Sequence, residues 1–309
     1  MAARYAGRVP TLVSDRSHGI DWTVDLATDR LLPGRLVDGR VTITADGPVE
    51  GRAIVVALVG TEQWQYTQTT TDGQGHVSSH TETRRDELAR VPVELAAPLE
   101  LAAGETRTLP FQLPVPGLGP ATFEGTVSRL DWRLEAKIDR PGAPDSAVAA
   151  AVRILQPTAL LRAGVVDVAE FALYPAADAA ADGVQASIAL DPMPVCVDAP
   201  MAGRLTLELP GPVRVQEVRV ELRVHAKATV SAGLEETITL WVGRVAGPGS
   251  LEAGHHELQL VDRLPGVYLP TIELPHGRAD ATVHVILAKP MARDTHLVRD
   301  VAICSTTEV

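Results

Sequence analysis

The stretch GRVTITADGPV, residues 39–49, returns in similar form as GRLTLELPGPV at residues 203–213. Both copies begin with Gly-Arg and end with Gly-Pro-Val, and 164 positions separate them. A stretch that occurs twice in one chain predicts a repeated structural unit.

The similarity extends without a gap from residues 24–58 to residues 188–222. Within it, apolar residues recur at every second position in both copies, which is typical of a half-buried β-strand. These aligned residues are Ile54, Val56 and Leu58 in the first copy and Val218, Val220 and Leu222 in the second.

A second region matches at a shorter spacing. LAAGE from Leu101 resembles LEAGH from Leu251, and DRPGAPDSAVAAAVRI from Asp139 resembles AKPMARDTHLVRDVAI from Ala288. The change of spacing is a difference in loop length, which related strands tolerate. We therefore expect two similar domains at residues 1–157 and 184–309. The segment 158–183, which ends in PAADAAADG, is the expected linker and is compatible with a short helix.

Runs rich in β-branched residues occur along the whole chain, separated by Gly, Pro and Asp. This spacing is typical of antiparallel sandwiches, and the lack of alternation with helical patterns argues against a parallel sheet. The sequence thus predicts an all-β protein of two tandem antiparallel β-sandwich domains, each of immunoglobulin-like type.

Composition limits the function. The chain has 309 residues, of which 45% are hydrophobic, and a net charge of −11, which disfavours nucleic acid and anionic membranes as partners. No apolar run approaches the ~18 residues of a membrane-spanning helix, so membrane association is expected only through a partner. Cys196 and Cys304 are too few for a metal site, and we expect them to be buried thiols in a reducing cytoplasm.

The segment TQTTTDGQGHVSSHTETRRDE, residues 67–87, is polar and lies between two strand patterns of the first domain. Three interpretations remain open: a solvated hairpin loop, a mobile loop that binds a partner, or Thr-rich strands that continue to pair. Long loops in compact domains often bind partners, which favours the second interpretation as a functional hypothesis.

No nucleotide-binding, hydrolase or metalloprotease motif occurs. His76 and His80 would be about 13 Å apart on a strand, too far for one metal ion, although a loop could bring them together. Asp294 aligns with Asp145 in the repeat, so we interpret both as caps of a turn rather than as catalytic acids. We expect no enzymatic activity, no cofactor and no metal.

The order of these segments resembles the arrestin-like superfamily. The resemblance rests on LVDGRVTITADGPVEGRAIVVALVGTEQW, LAAGETRTLPFQLPVPGLGPATFEG, DWRLEAKIDRP and GPVRVQEVRVELRV, and it covers residues 22–303. The nearest branch is that of the bacterial sporulation-control proteins, and the retromer-associated branch is more distant. This resemblance implies tandem arrestin-like sandwiches that act as non-catalytic adaptors or scaffolds for protein partners.

The resemblance also implies two candidate sites. Asp29 and Arg153 match positions of a buried polar pair between the domains, which could act as a latch, although exposed strand-end charges are an alternative. Residues 67–87 occupy the position of the finger loop that arrestins insert into a partner. Its candidate partner-binding residues are Asp72, Gly73, Gly75, His76, His80, Arg84 and Arg85. The region that should supply gate-loop acids lacks aspartate, so phosphate-triggered activation is not expected.

A small-molecule- or glycan-binding β-sandwich is the alternative function. Such a module needs a concave apolar pocket with aromatic residues, and aromatic residues make up only 4% of this chain. An adaptor needs only loops and sheet edges, which the sequence predicts in quantity.

Overall fold

The computed structural model describes residues 10–158, 173–175, 183–191, 194–197 and 199–307. Apart from residues 158, 173–175 and 183, the expected linker lies outside the described residues, as does the short helix considered for it. The chain forms two compact units that are discontinuous in sequence. The first contains Met1–Glu62, Arg85–Thr122 and Leu130–Leu155, and the second contains Gln63–Arg84, Phe123–Arg129 and Gln156–Val309.

The expected division into residues 1–157 and 184–309 stays a prediction. The last change of unit lies between residues 155 and 156, beside the expected boundary. Two short excursions, residues 63–84 and 123–129, pack with the second unit and were not anticipated from the sequence.

Eleven strands form between residues 11 and 154. They are β1 (Thr11–Ser17), β2 (Ile20–Leu26), β3 (Arg30–Leu31), β4 (Leu36–Ala45), β5 (Val49–Gly51), β6 (Ala53–Thr71), β7 (Val77–Ala96), β8 (Leu99–Leu101), β9 (Thr106–Pro114), β10 (Ser128–Asp139) and β11 (Ser146–Ile154). One sheet has the order β1-β2-β4-β9 and the other β3-β11-β10-β6-β7, while β5 pairs with β8.

The two sheets of the first unit pack through alternating apolar side chains. Trp22 on β2 is fully buried, and its Nε1 donates to Ser146 Oγ on β11 at 2.9 Å. This hydrogen bond satisfies the only polar atom of the indole inside the apolar core and joins one sheet to the other. The antiparallel sandwich expected for this part of the chain is confirmed.

Thirteen described strands follow. They are β12 (Leu173–Pro175), β13 (Gln185–Asp191), β14 (Val195–Cys196), β15 (Pro200–Leu209), β16 (Val213–Val215), β17 (Glu217–Ala228), β18 (Glu235–Ala246), β19 (Gly249–Leu251), β20 (Gly254–Arg263), β21 (Ile272–Glu273), β22 (Gly277–Ala288), β23 (Thr295–Val301) and β24 (Ile303–Cys304). The larger sheet has the order β12-β23-β22-β17-β18, and β21 also pairs with β22. A three-stranded sheet has the order β13-β15-β20, β16 pairs with β19, and β14 pairs with β24.

The strands reproduce the sequence repeat. β15, β16 and β17 begin 164 positions after β4, β5 and β6, respectively, and β23 begins 149 positions after β11. The order β2-β4-β9 recurs as β13-β15-β20, and β11-β10-β6-β7 recurs as β23-β22-β17-β18. The fold class predicted from the duplicated stretch, two tandem β-sandwiches, is therefore confirmed.

The two copies of the repeated stretch both begin with a glycine that is closely packed. A Cβ on Gly39 would lie 2.2 Å from Phe111 Cζ, and a Cβ on Gly203 would lie 2.9 Å from the side chain of Leu260. Glycine is thus needed where a neighbouring strand lays an apolar side chain across the backbone.

The predicted turn caps are also confirmed. Asp145 accepts a hydrogen bond from the backbone N–H of Arg140, and Asp294 accepts one from that of Lys289. Each carboxylate closes the turn between the last two long strands of its unit, which is a local structural role.

The expectation of two free thiols is wrong, because Cys196 and Cys304 form a disulfide. β14 and β24 run parallel with the two cysteines in register, and their Cα atoms are 4.8 Å apart, within the usual range for a disulfide. Both residues are buried beside Ala302 in a small apolar cluster. The pairing depends on strands that are 108 residues apart, so local sequence patterns could not reveal it.

A candidate partner-binding hairpin

The β6–β7 hairpin departs from the repeat in its length. β6 and β7 have 19 and 20 residues, whereas their counterparts β17 and β18 have 12 each. The extra length covers most of the segment 67–87, where the structure shows paired strands on both sides of a short turn. Of the three interpretations of this segment, continued pairing of Thr-rich strands is therefore the one observed, while its mobility stays a prediction.

Asp72 organises the turn at the tip. Its Oδ1 accepts hydrogen bonds from the backbone N–H groups of Gln74 and His76, at 2.8 and 2.9 Å, and its Oδ2 lies 3.0 Å from His76 Nδ1. These bonds, led by that from the His76 backbone, hold the pKa of Asp72 below its usual value. Gly75 has φ +85°, a conformation that favours glycine, and Gly73 also lies in this turn.

The base of the extension is held by what we call the collar, formed by Val127, Ala232, Gly233, Leu234 and His276. The edge of β6 that faces away from β7 pairs with the collar. Gln65 N donates to Val127 O at 2.9 Å, Leu234 N donates to Gln65 O at 3.1 Å, and Thr67 N donates to Ala232 O at 2.9 Å. The hairpin is thus anchored at Gln65 and Thr67 by backbone hydrogen bonds.

Side chains strengthen the collar. Trp64 is only 5% exposed and stacks on His276 with ring centroids 3.9 Å apart. The Glu236 carboxylate accepts hydrogen bonds from the backbone N–H groups of Thr126 and Val127, at 2.5 and 3.0 Å. Aromatic burial and charge-assisted bonds make this the rigid part of the extension.

Beyond the collar, residues 68–83 form a two-stranded segment that we call the ribbon. Residues 69–81 are all exposed. Cross-strand hydroxyl pairs join Thr69 to Ser79 at 3.2 Å and Thr70 to Ser78 at 2.8 Å. The ribbon is therefore held by its own backbone and by short polar contacts, with little apolar packing.

Charged groups gather where the ribbon meets the collar. The Tyr66 hydroxyl donates to Glu82 at 2.5 Å, His80 lies 3.2 Å from the same carboxylate, and the Arg84 guanidinium lies 5.2 Å above the Tyr66 ring. The hydroxyl of Tyr66, followed by His80, lowers the pKa of Glu82, so this carboxylate stays charged. Arg84 and Arg85 are exposed. Of the seven predicted loop residues, Asp72, Gly73, Gly75 and His76 lie in the tip turn, and His80 and Arg84 belong to this charged group. Arg85 follows Arg84 on β7, where successive side chains point to opposite faces.

Residues 22–160 match the family model of the arrestin (or S-antigen) N-terminal domain. The match spans a little under half of the chain and includes the whole β6–β7 hairpin. No curated protein matches the chain in sequence. Residues 161–309 of the second unit lie outside the match, and their likeness to the first unit rests on the repeated strand order. Similarity to the sporulation-control branch stays a prediction.

The structure brings together the two residues that arrestin similarity suggested as a latch. Arg153 N donates to the carbonyl of Asp29 at 2.8 Å, because β3 and β11 run parallel at this point. Both residues are exposed, so the buried position implied by the resemblance is not observed. An exposed ion pair contributes at most ~1 kcal/mol, and the latch itself stays a prediction.

A buried carboxylate that the sequence reasoning missed lies nearby in the chain. Asp25 on β2 is 5% exposed and receives hydrogen bonds from Arg40, at 2.7 and 3.0 Å, and from Thr11 Oγ1 at 2.8 Å. An acid between two buried apolar residues, Val24 and Leu26, was the available signal. Its pairing with a half-exposed arginine indicates a structural role.

A second missed feature is a row of charges along β17. Arg219 bonds to Glu217 and Glu221 at 2.7 Å each, and Arg223 bonds to Glu221 at 2.5 Å. His284 on β22 lies opposite Glu221, and burial, together with Arg223, lowers its pKa to about 4. The alternation EVRVELR in the sequence shows that charged residues occupy one face of this strand. It does not show that they form ion pairs with one another.

Within the described residues, no helix is both long and apolar enough to cross a bilayer. In the same part of the chain, no three His, Cys, Asp or Glu side chains are placed to hold a metal ion. His76 and His80, the histidines considered for such a site, each contact a different carboxylate.

Proposed function

We propose that the protein is a non-catalytic adaptor or regulatory scaffold of arrestin-like build that binds one or more proteins through the ribbon. The match to an arrestin N-terminal domain supports this function class. The observation that carries the proposal is the extension of β6–β7 beyond the length of its repeat counterpart, anchored at the collar and exposed beyond it.

The combination suits recognition. A rigid base fixes the direction of the hairpin, while an exposed distal part offers backbone groups, hydroxyls and charges to a partner. The proposal includes a cytoplasmic location, association with membranes only through a partner, and kinship with the bacterial sporulation-control branch. These three points rest on composition and resemblance.

The test shortens the ribbon without changing its register. Residues 69–79 are replaced by Asn-Gly. Gln68 and His80 lie opposite each other on β6 and β7, and Asn-Gly joins them by a turn suited to two-residue hairpins. Partners are recovered by photo-crosslinking from native extract with a benzophenone residue at Val77, which is 67% exposed, and then assayed without crosslinking. The Leu118→Ser chain, altered at another exposed apolar residue, is the control.

We expect the shortened chain to lose the recovered partner and to keep its melting temperature, because the ribbon buries little apolar surface. The Leu118→Ser chain should bind as the original does. If the shortened chain binds the partner with full affinity, the site lies elsewhere and the proposal is wrong.

A cavity of about 480 Å³ in the second unit supports the alternative, a small-molecule module. Its described lining residues are Val184, Gln185, Ala186, Ser187, Thr206, Glu208 and Leu297. The volume suits a small ligand, but this described lining offers no aromatic ring and only one charged group. A thermal-shift screen of metabolites and sugars against Ala186→Phe, which would fill the cavity, tests this function.

A further inference from the structure

The direction of each backbone group in the ribbon follows from the turn. Asp72 N donates to His76 O at 3.0 Å, so these residues form a hydrogen-bonded pair. In an antiparallel ladder such pairs alternate with non-hydrogen-bonded ones, so Thr70/Ser78 and Gln68/His80 are the next bonded pairs. The outward bonds of Gln65 and Thr67 to the collar agree with this alternation.

The intervening residues of β7 therefore direct their N–H and C=O groups away from β6. They are Val77, Ser79, Thr81 and Thr83. β7 is the last strand in the order β3-β11-β10-β6-β7, and no other described strand pairs with its outer side. An exposed row of backbone donors and acceptors results, since residues 77–81 and 83 are exposed and Glu82 is half-buried.

This edge lacks the devices that usually block strand pairing. Proteins protect long edges with Pro, Lys or other charges. The proximal part of β7, RRDELARVPVE at residues 84–94, contains Pro92 and six charged residues. The distal part, VSSHTET at residues 77–83, contains no Pro or Lys and one charged residue. The protection stops where the ribbon begins.

We propose that the outer edge of β7 at residues 77–83 binds an extended peptide segment of another protein by strand addition. The inference rests on the proposed function and specifies how the partner is held. Only a second extended backbone can satisfy alternating N–H and C=O groups at this spacing. Hydroxyl and β-branched side chains fit beside Thr81 and Ser79, and a carboxylate fits near Arg84.

Amide hydrogen exchange of the free chain tests the edge itself. The N–H groups of Ser78 and His80 are bonded to β6 and should exchange slowly, whereas those of Ser79, Thr81 and Thr83 should exchange rapidly. Equal protection of both sets would show that the outer edge is already paired and would overturn the inference.

Binding is tested with linear dodecapeptides from a randomised phage library, selected on the full chain and counter-selected on the shortened chain. Thr81→Pro removes an outward N–H and leaves the β6–β7 ladder intact, because proline is tolerated at a free strand edge. Thr81→Ala removes the side chain and keeps the N–H. Fluorescence anisotropy with a selected peptide should show binding at least about tenfold weaker for Pro and nearly unchanged for Ala.

Each outcome decides a different point. If Thr81→Pro and Thr81→Ala bind the peptide with equal affinity and the shortened chain does not bind it, the ribbon is the site but strand addition is wrong. If no selected peptide discriminates between the full and shortened chains, both the inference and the proposed function fail. Ser79→Pro and Ser79→Ala repeat the comparison if Thr81→Pro does not fold. If sedimentation shows a dimer that Thr81→Pro abolishes, the occupant is a second copy of this chain and the proposed partner is wrong.

Discussion

Removal of the Cys196–Cys304 disulfide should lower the free energy of unfolding measurably. The bond joins residues 108 positions apart, and closing a loop of about 100 residues is worth about 4–5 kcal/mol in the chain-entropy model. Measured contributions are typically about 2–4 kcal/mol, so we expect a loss of about 3 kcal/mol. The double substitution Cys196→Ala and Cys304→Ala is appropriate because serine would bury two hydroxyls in an apolar cluster.

Calorimetry measures the effect. For a unit of 150–250 residues, 1 kcal/mol corresponds to about 2–4 °C in melting temperature, so the double variant should melt about 6–12 °C lower. Prior reduction under mildly denaturing conditions should lower the melting temperature of the original chain similarly. The double variant serves as the control, because reductant should not affect it.

A contrary result would be informative. If the original chain and the double variant melt within about 1 °C of each other, and reductant changes neither, the bond does not constrain the unfolded chain. Maleimide labelling of the protein in cells, before any reductant is added, then decides whether the cysteines are free. Free thiols would agree with the predicted cytoplasmic location, whereas protected cysteines would favour an oxidising compartment.

Three further perturbations have defined outcomes. His284 has a folded pKa of about 4, below its unfolded value of about 6.5, so only the unfolded chain takes up this proton as the pH falls between those values. The free energy of unfolding of the original chain should therefore fall by on the order of 1–2 kcal/mol relative to that of His284→Gln between pH 7 and pH 4.5. Urea unfolding curves that respond equally to pH in the two chains would contradict this. Gly233→Ala should destabilise the collar by about 1–3 kcal/mol, because the new Cβ would lie 2.1 Å from the carbonyl oxygen of Ala228. Hydrogen exchange of the Thr67 amide, which bonds to the collar, should then be faster. Gly211→Ala is the neutral control, because its Cβ would meet no atom within 4 Å. Asp25→Asn should cost about 1–3 kcal/mol by weakening the bonds from Arg40 to the buried carboxylate, and an unchanged urea midpoint would show that this pair contributes nothing.

The duplicated stretch predicted the fold because the same residues have the same structural role in both copies. Gly39 and Gly203 mark the same crowded position in both sandwiches, and Asp145 and Asp294 cap the same turn. Each copy supports the interpretation of the other, so weak local signals together predicted two similar β-sandwiches.

The hairpin and the disulfide were less accessible because both depend on distant residues. Threonine, serine and glycine suggested a loop at residues 67–87, yet threonine is also a good strand residue when a partner strand lies opposite. Whether β6 continued past Gln65 was decided by Val127 and by residues 232–234, far away in sequence. Cys196 likewise gained its partner only through the parallel pairing of β14 with β24.

The two excursions of the chain affect how this protein can be divided. The backbone passes from one compact unit to the other five times, at residues 62/63, 84/85, 122/123, 129/130 and 155/156. A fragment that starts at residue 158 would lack residues 63–84 and 123–129, leaving His276 without its stacking tryptophan and Glu236 without its backbone donors. A single proteolytic nick at any one crossing would leave four covalent connections. Neither unit is therefore separable as one continuous piece, and recombination with a relative would have to exchange the hairpin together with the second unit.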